Sequence, residues 1–547
     1  MTFLPIVARE LTQASRRRWT YWSRLAMAIT GLIIAGWVMI VMRNERPAGM
    51  SMFLFGFLAV VTYLYALFAG VFSTADCLSE EKREGTLGLL FLTDLKGYDI
   101  VFGKLAASSL NAIYSILALF PIMAIPLLMG GVTIAEFWRV VLVSMNTLFF
   151  SLAVGMFCSA ISRDERRAMV VASLVMLFFT LGLWILGMIV ENVLHFRGAG
   201  EYMLIPSPAC AAAFAFDALY NSKLTGLPFN PFYPSVIFTH ALSWVLLISA
   251  SIIVPRTWQD RALTATQMRR REKLNEFKLG SSHERSSFRQ RLLEVNPFYW
   301  LTARHRTKPL AVWAVLGLGA IVWALGLFYN AKDWMDQVAY FFTAFVMHTV
   351  LKFWIGTEAC RQFSKDRQSG ALELLLSTPI SVKEIIRGQW MALERQFGGP
   401  LFVVLLADLV FLLASRLDTE VVVVWIAGMI MLVADVFTLG WVGMWCGLNS
   451  RRPNRAAGAA LVRVLVLPWM IFLILLTFIG LNGGFGGRSS TWNSTTLTLL
   501  WLVIGLVNNV IFALPARRRL LAEFRQVATE RFETRGRKSE RAESSKQ

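Results

Sequence analysis

Three ionisable residues, Asp408, Asp435 and Arg463, lie inside long apolar runs of this 547-residue sequence. A charged side chain at the centre of a membrane helix costs about 2.5–3.5 kcal/mol, so it is normally paired or functional. Two carboxylates and a guanidinium can neutralise one another, and we expect the three to form one buried cluster that holds helices together. A substrate or gating role is the alternative. The residues 288 positions before Asp435 and Arg463 are Thr147 and Val175, which carry no charge.

Motifs for nucleotide binding and hydrolysis are missing from the sequence. A P-loop needs Gly-x-x-x-x-Gly-Lys-Ser/Thr, so that backbone amides cradle phosphate and the lysine reaches it. The nearest glycine-rich stretch, 483–487, is followed by Arg488. His195 and His305 are isolated, and the five cysteines include no Cys-x-x-Cys pair. We predict no catalytic residue, no metal site and no cofactor bound by this chain.

The elements that position the charged residues are predicted to be membrane helices. Hydrophobic residues make up 56% of the chain and charged residues only 16%, well below the share of about 25% in soluble proteins. A spanning helix needs about 20 mainly apolar residues. Twelve runs approach or exceed this length: 25–42, 52–72, 105–129, 138–161, 168–190, 233–254, 309–329, 337–358, 399–415, 421–448, 458–482 and 496–514. The sequence predicts an all-α polytopic membrane protein with about twelve spans.

Lysine and arginine alternate across the predicted membrane. The termini and every second connection hold 44 of these residues, the intervening loops hold seven, and Arg139, Lys352 and Arg463 fall within the runs. Cytoplasmic connections collect Lys and Arg, so both termini are predicted to be cytoplasmic. This arrangement accounts for the net charge of +19 without nucleic acid, and anionic membrane lipid is the expected partner for these residues.

The chain contains an internal repeat. Residues 81–93 match residues 366–378 at an offset of 285, with Gly85 opposite Gly370 and Leu87 opposite Leu372. Six spans per half is an even number, which makes the two six-helix repeats parallel. The predicted domains are a first half at 1–255, a basic linker at 256–296, a second half at 297–514 and a basic tail at 515–547.

The repeated segment lies in the connection after the second span of each half, predicted to be cytoplasmic. Apolar residues recur there at positions i, i+3 and i+4, as Leu87, Leu90 and Phe91 do in the first copy, which is typical of one face of a helix. Thr378-Pro379 then breaks the helix, and the spacing of Ser381 and Glu384 is that of a capping box. An interfacial helix lying among lipid headgroups is one interpretation. A duplicated element that presents its apolar stripe to a duplicated partner is the other.

The Glu-x-x-x-Gly-Thr-Leu-x-Leu-Leu pattern, the Leu-Ser-Thr-Pro-Ile-Ser segment at 376–381 and the Gly-Lys or Gly-Gln pair before the next span resemble ABC-2 type ABC-transporter permeases. The resemblance implies that six spans form one transmembrane domain and that a coupling helix after span two docks on a separate ATP-binding subunit. The implied coupling residues are Glu80, Glu81, Glu84, Gly85, Thr86, Leu87, Leu90 and Phe91 in the first copy, and Asp366, Gly370, Leu372, Glu373, Leu375, Leu376, Thr378 and Pro379 in the second.

The two copies are not identical. Gly88 stands opposite Glu373 and Asp94 opposite Pro379, so the two docking surfaces are expected to be unequal. The resemblance also implies an amphipathic helix before the first span of each half, which residues 5–24 and 297–308 fit. For residues 192–232 it suggests a partly re-entrant segment, with an ordinary external loop as the alternative.

By this resemblance the chain is a transport permease of the plasma (bacterial cytoplasmic) membrane that works in export. ATP and magnesium would be used by the ATP-binding partner, expected in two copies, and further accessory membrane subunits are an open possibility. Two alternatives remain. A secondary carrier of the major-facilitator kind shares the two parallel halves but has a short, basic loop after span two, where this chain has about 30 residues. A membrane scaffold that transports nothing would need no ATPase.

Overall fold

The computed structural model describes the following residues: 7, 12, 18–42, 46–92, 95–192, 199–221, 228–257, 268–269, 282–304, 307–415, 418–450, 453–481 and 493–530. Over these residues the secondary structure is helical, without strands. The chain divides into a first unit, Met1–Ala262, and a second unit, Leu263–Gln547. The division falls inside the segment 256–296, which the sequence predicts to be a linker.

The first unit contains fourteen of the described helices. They are α1 Arg18–Val41, α2 Pro47–Thr74, α3 Cys77–Glu84, α4 Thr86–Phe91, α5 Gly97–Leu117, α6 Phe120–Met123, α7 Ile125–Leu128, α8 Ile134–Ile161, α9 Glu165–Leu177, α10 Leu183–Asn192, α11 Ala199–Leu204, α12 Pro208–Ala213, α13 Asp217–Tyr220 and α14 Phe232–Thr257. A π-helical segment, Phe178–Gly182, joins α9 to α10.

The second unit contains ten. They are α15 Ser282–Val295, α16 Pro297–Ala303, α17 Thr307–Trp334, α18 Gln337–Gln368, α19 Ala371–Leu376, α20 Val382–Ala414, α21 Thr419–Asn449, α22 Pro453–Leu461, α23 Leu467–Leu481 and α24 Ser494–Thr529. A π-helical segment, Val462–Val466, joins α22 to α23, so the fifth predicted span of each half contains one wide turn.

Long apolar helices dominate both units. Within the described residues, ten helices are long and apolar enough to cross a membrane, and two shorter apolar helices, Arg24–Ile40 and Arg167–Gly182, accompany them. Each of the twelve apolar runs in the sequence coincides with one of these helices. The prediction of an all-α polytopic membrane protein is confirmed.

Small residues let the helices of each unit approach closely, as membrane helices do when packing replaces hydrophobic burial as the driving force. In the first unit a Cβ on Gly70 of α2 would lie 2.4 Å from the Leu152 nitrogen of α8. In the second unit a Cβ on Gly447 of α21 would lie 2.2 Å from the Cys360 oxygen of α18. Neither glycine can be replaced without moving backbone.

The segment 192–232 is folded where it is described. It contains α11, α12 and α13, and Cys210 and Ala211 are buried. Helix α16 coincides with part of the predicted amphipathic segment 297–308. Several predictions fall mainly or wholly outside the described residues: the helix at 5–24, most of the linker, the glycine-rich loop 482–488, the tail after residue 530, and His195 and His305.

Candidate functional site

The repeated element has the same backbone bend in both units. Helix α3 ends at Gly85, which has φ 73° and ψ 2°, and α4 starts directly after it. Gly370 has the same φ 73° and ψ 2° at the start of α19. Glycine adopts this left-handed conformation without the penalty that a Cβ imposes. The Glu-x-x-x-Gly pattern therefore encodes a sharp bend before a six-residue helix.

The apolar stripe of each short helix packs inward. Leu87 is 1% exposed and Leu372 is fully buried. Leu90 and Phe91 pack against the same core as Leu87, and the neighbours Leu375 and Leu376 do so in the second unit. Leu87 and Leu372 are therefore covered by their own unit, whereas the other stripe residues are half-buried, and docking of the stripe on a partner stays a prediction. The stripe attaches the short helix to its own unit.

Other residues form the outer face of the two short helices. Leu89 is 64% exposed and Leu374 is 72% exposed, and the two are equivalent at the offset of 285. Glu373, Thr378 and Pro379 are also exposed in the second copy. The side chain of Glu84, and all of Asp94, lie outside the described part of the first copy. We call Leu89 and Leu374 the outer leucines.

A cation anchors each element to two other spans, and we call this contact the cation clamp. In the first unit Lys82 donates to the Ala160 oxygen at the end of α8 and to Thr257 Oγ1 at the end of α14, the latter at 2.9 Å. Helix ends leave carbonyl oxygens without intrahelical partners, and a cation there is favourable.

The second unit repeats the clamp with arginine. Arg367 Nη1 donates to the Leu448 oxygen at the end of α21 at 2.6 Å, and Nη2 donates to the Glu530 oxygen after α24 at 2.7 Å. Arg367 stands 285 positions after Lys82, and Leu448 stands 288 positions after Ala160. The element is thus tied to the C-terminal ends of the helices that contain the fourth and sixth predicted spans in both units.

The acidic residue before the clamp is held differently in the two units. Glu81 accepts from Thr86 and pairs with Lys104 Nζ at 2.7 Å. Asp366, its equivalent, accepts from Gln362 Nε2 at 2.8 Å. The residue equivalent to Lys104 is Gln389, so the second unit has no lysine at that place.

The helix after each element starts at a hydrogen-bonded cap. Ser381 Oγ accepts from the Glu384 backbone N–H at 3.2 Å, and Glu384 Oε2 accepts from the Ser381 N–H at 2.8 Å. The capping box predicted from the sequence is therefore present. The equivalent residues of the first unit are Lys96 and Asp99, and Asp99 Oδ2 accepts from the Lys96 N–H at 3.0 Å.

The intramembrane charges do not form the single cluster expected from the sequence. Asp408 pairs with His348 Nε2 at 2.7 Å, and Asp435 pairs with Lys352 Nζ at 2.8 Å. Arg463 Nη1 instead donates to Cys446 Sγ at 3.1 Å. The two carboxylates therefore face α18, because His348 and Lys352 are one helical turn apart on it.

The partners His348 and Lys352 are functional candidates that the sequence reasoning missed. Their spacing of four residues inside an apolar run was the available signal, since two basic side chains on one face of a span call for acidic partners. Asn509 Nδ2 of α24 completes the group with a 2.7 Å hydrogen bond to Asp435 Oδ1. The arrangement joins α18, α20, α21 and α24 by buried polar contacts.

A second missed group lies in the first unit and is neutral. Trp244 Nε1 donates to His240 Nε2 at 3.1 Å, which leaves the proton of the neutral ring on Nδ1. That nitrogen lies 3.1 Å from Asn146 Oδ1 and can donate to it. The group binds α14 to α8 without a charge.

Neither unit offers a metal centre where it is described. No three His, Cys, Asp or Glu side chains in the described ranges are arranged to hold a metal ion. All five cysteines lie in those ranges, and each is a free thiol.

Part of the chain is similar to a known protein family. Residues 2–182 match the model of the ABC-2 type transporter family. This range includes the first repeated element and the first cation clamp up to Ala160. No curated protein matches the sequence.

Proposed function

We propose that the chain is an ABC transporter permease with two membrane domains, driven by ATP-binding subunits that dock on the two repeated elements. The match of residues 2–182 to the ABC-2 type transporter family supports this proposal for the first unit. Transport is expected to be export, in line with the resemblance noted for the motifs.

The observation that supports this proposal most directly is that the element is attached to its unit in the same way in both units. A helix lying passively in lipid headgroups needs neither a fixed bend nor a clamp. Here a glycine bend, a buried leucine and a cation clamp recur at equivalent positions, and each copy leaves one equivalent leucine outside. An exposed leucine on a rigid mount suits a protein partner, because burying it there contributes about 1.5–3 kcal/mol.

This attachment also allows movement of the short helix to be transmitted to the membrane spans. A partner that pushes on the outer leucines moves a six-residue helix whose inner face is locked into the unit's core. The cation clamp joins the helix before the bend, α3 in the first unit and α18 in the second, to the ends of the helices that contain the fourth and sixth spans. Closure of two ATP-binding subunits would therefore displace several spans together, without a change within any single helix.

The test is to replace the outer leucines with aspartate, separately and together. Leu374→Asp places an unpaired charge in the proposed interface, and the ATP-binding subunit should be lost from the purified complex. Leu87 and Leu372 are unsuitable for this test, since their replacement would damage the core. Leu521→Asp, at a 40% exposed position of α24, is the matched control.

The readout is the ATPase activity and the P-loop polypeptide that co-purify with the chain from its own membranes. We expect both to fall in the double variant and to persist in the control. Because Glu373 and Pro379 add exposed contacts to the second copy, Leu374→Asp should cost more than Leu89→Asp. Full retention of the ATPase by the double variant would refute docking. A wild-type chain without any ATPase would favour a secondary carrier or a scaffold.

A further inference from the structure

A small polar cavity lies inside the second unit, between α16, the start of α17, α18 and α20. It holds about 20 Å³, enough for one group the size of a water molecule. Its lining includes Thr302, Lys308, Glu358, Gln389, Arg395 and Gln396. The cavity is separate from the outer leucines.

The interior of this cavity is polar and deeply buried. Gln389 is 3% exposed and Glu358 is 5% exposed. The Oε1 atom of Gln389 is buried and has no hydrogen-bond partner within the described part of the chain. Leaving such an acceptor unsatisfied is costly, so the site calls for a group that donates a hydrogen bond.

The first unit has a lysine at the position equivalent to Gln389. Lys104 stands where the second unit has Gln389, and its ammonium reaches Glu81 at 2.7 Å. The second unit has an amide at this position, beside the cavity. A group that fills the cavity must be about the size of a water molecule and must donate a hydrogen bond.

The outer part of the cavity carries cations at the membrane boundary. Lys308 is the first residue of a membrane-crossing helix, its side chain is 29% exposed, and it pairs with Glu358 at 2.6 Å. Arg395 is half-buried and donates to the Ala303 oxygen at 3.3 Å. Basic side chains at this depth attract phosphate groups of lipid.

We propose that this cavity binds the headgroup of phosphatidylethanolamine. The primary ammonium enters the cavity and donates to Gln389 Oε1 beside the carboxylate of Glu358, while the phosphodiester contacts Arg395 and Lys308. A choline headgroup cannot replace it, because its quaternary nitrogen has no N–H and its three methyl groups exceed the space. The site therefore discriminates between two abundant membrane lipids by the hydrogens on one nitrogen.

The test reconstitutes the full chain in nanodiscs with equal amounts of phosphatidylethanolamine, its N-methyl and N,N-dimethyl forms, and phosphatidylcholine, all with the same acyl chains. Lipid that stays bound after transfer to detergent is quantified by mass spectrometry. We expect about tenfold enrichment of phosphatidylethanolamine over phosphatidylcholine, with the methylated forms between them, as for loss of a charged hydrogen bond. Equal retention of the four lipids by the wild-type chain would overturn the proposal without any variant.

Variants of Gln389 test whether the cavity is the source of the lipid selectivity. Gln389→Leu removes the acceptor and Gln389→Lys inserts the side chain of the first unit, and both should reduce the enrichment to about the background of the surrounding lipid. Gln526→Leu, at an exposed glutamine of α24, should leave it unchanged. Persistent enrichment in both cavity variants would overturn the assignment. Soluble O-phosphoethanolamine at the lipid's own concentration should not compete, and displacement by it would identify a soluble ligand instead.

Discussion

The two units mount the repeated element alike but join their spans by different chemistry. In the first unit α2 and α8 are joined by neutral hydrogen bonds: Ser151 Oγ donates to the Ala66 oxygen at 2.7 Å, and Thr74 Oγ1 donates to the Leu152 oxygen at 3.0 Å. In the second unit the joints at mid-span are the pairs of Asp408 and Asp435 with His348 and Lys352.

This difference shows which parts of the mechanism need to be the same. The bend, the buried leucine and the cation clamp recur in both units, which fits the proposal that both elements receive the same kind of push. The interior of the spans is free to differ. Neutral hydrogen bonds between membrane helices contribute only about 0.6 kcal/mol each, whereas breaking a buried ion pair leaves a charge behind. The stability of the second unit therefore depends on a few buried ion pairs, and breaking any one of them is expected to have a large effect on it.

The largest effect is expected at Asp435. Asp435→Ala leaves the Lys352 ammonium buried without its carboxylate, and we expect a loss of about 3–5 kcal/mol in the free energy of unfolding. The equivalent change in the first unit, Thr147→Val, should cost about 1 kcal/mol or less. Chemical unfolding in detergent, followed by tryptophan fluorescence, measures both. The double variant Lys352→Met/Asp435→Leu should recover most of the stability, and additive losses would contradict the pairing.

The next effect concerns the cation clamp. Arg367→Met leaves the oxygens of Leu448 and Glu530 without their donor, and we expect a cost of about 1–3 kcal/mol. Lys82→Met should cost less, because Lys82 is only partly buried whereas Arg367 is buried. Arg367→Lys should fall between, since one ammonium replaces a two-armed donor. Equal losses in the free energy of unfolding for Arg367→Met and Lys82→Met would contradict this prediction and show that the two clamps contribute equally to stability.

A smaller effect, equal in the two units, is expected at the bends. Gly85→Ala and Gly370→Ala meet open space, so only the left-handed φ is penalised, by about 1–2 kcal/mol. Gly56→Ala and Gly428→Ala are matched controls in helices, also with open space, and should stabilise by up to about 1 kcal/mol. If Gly85→Ala and Gly370→Ala changed the melting temperature by clearly different amounts, the two bends would not be equivalent.

The smallest stability effect is expected at the outer leucines. Leu89→Ala and Leu374→Ala remove exposed side chains and should change the free energy of unfolding by less than about 0.5 kcal/mol. The same variants should weaken binding of the ATP-binding subunit, as measured by its rate of dissociation from the immobilised chain. A loss of stability as large as that of a core substitution would mean that these leucines are structural.

The sequence predicts the fold and the place of the element, but not its outer face. Apolar composition and run length are sufficient for the spans, and the pattern around Gly85 and Gly370 locates the bend. The stripe containing Leu87 identifies an apolar face without saying what covers it, since that depends on neighbouring helices. The outer leucines, single apolar residues outside the stripe, gave no periodic signal.

The sequence also does not determine which side chains pair with Asp408 and Asp435. The cost of a charge in lipid marks Asp408 and Asp435 as paired, yet the choice among Arg463, His348 and Lys352 depends on which helices are adjacent. The cation clamps are harder still to predict, because most of their acceptors are backbone oxygens, which every residue has. The positions of Lys82 and Arg367 in the repeat show only that a cation is required.

The cation clamps also fix the C-terminal ends of α14 and α24. Lys82 binds Thr257, the last residue of α14, and Arg367 binds the oxygen of Glu530, the residue after α24. Both helix ends thus lie beside the elements on which the ATP-binding subunits are proposed to dock. We expect a docked subunit to slow the cleavage by trypsin at the arginines that follow these helix ends, so that the cleavage rate reports occupancy. Proteolysis of intact membranes could then follow assembly without any label.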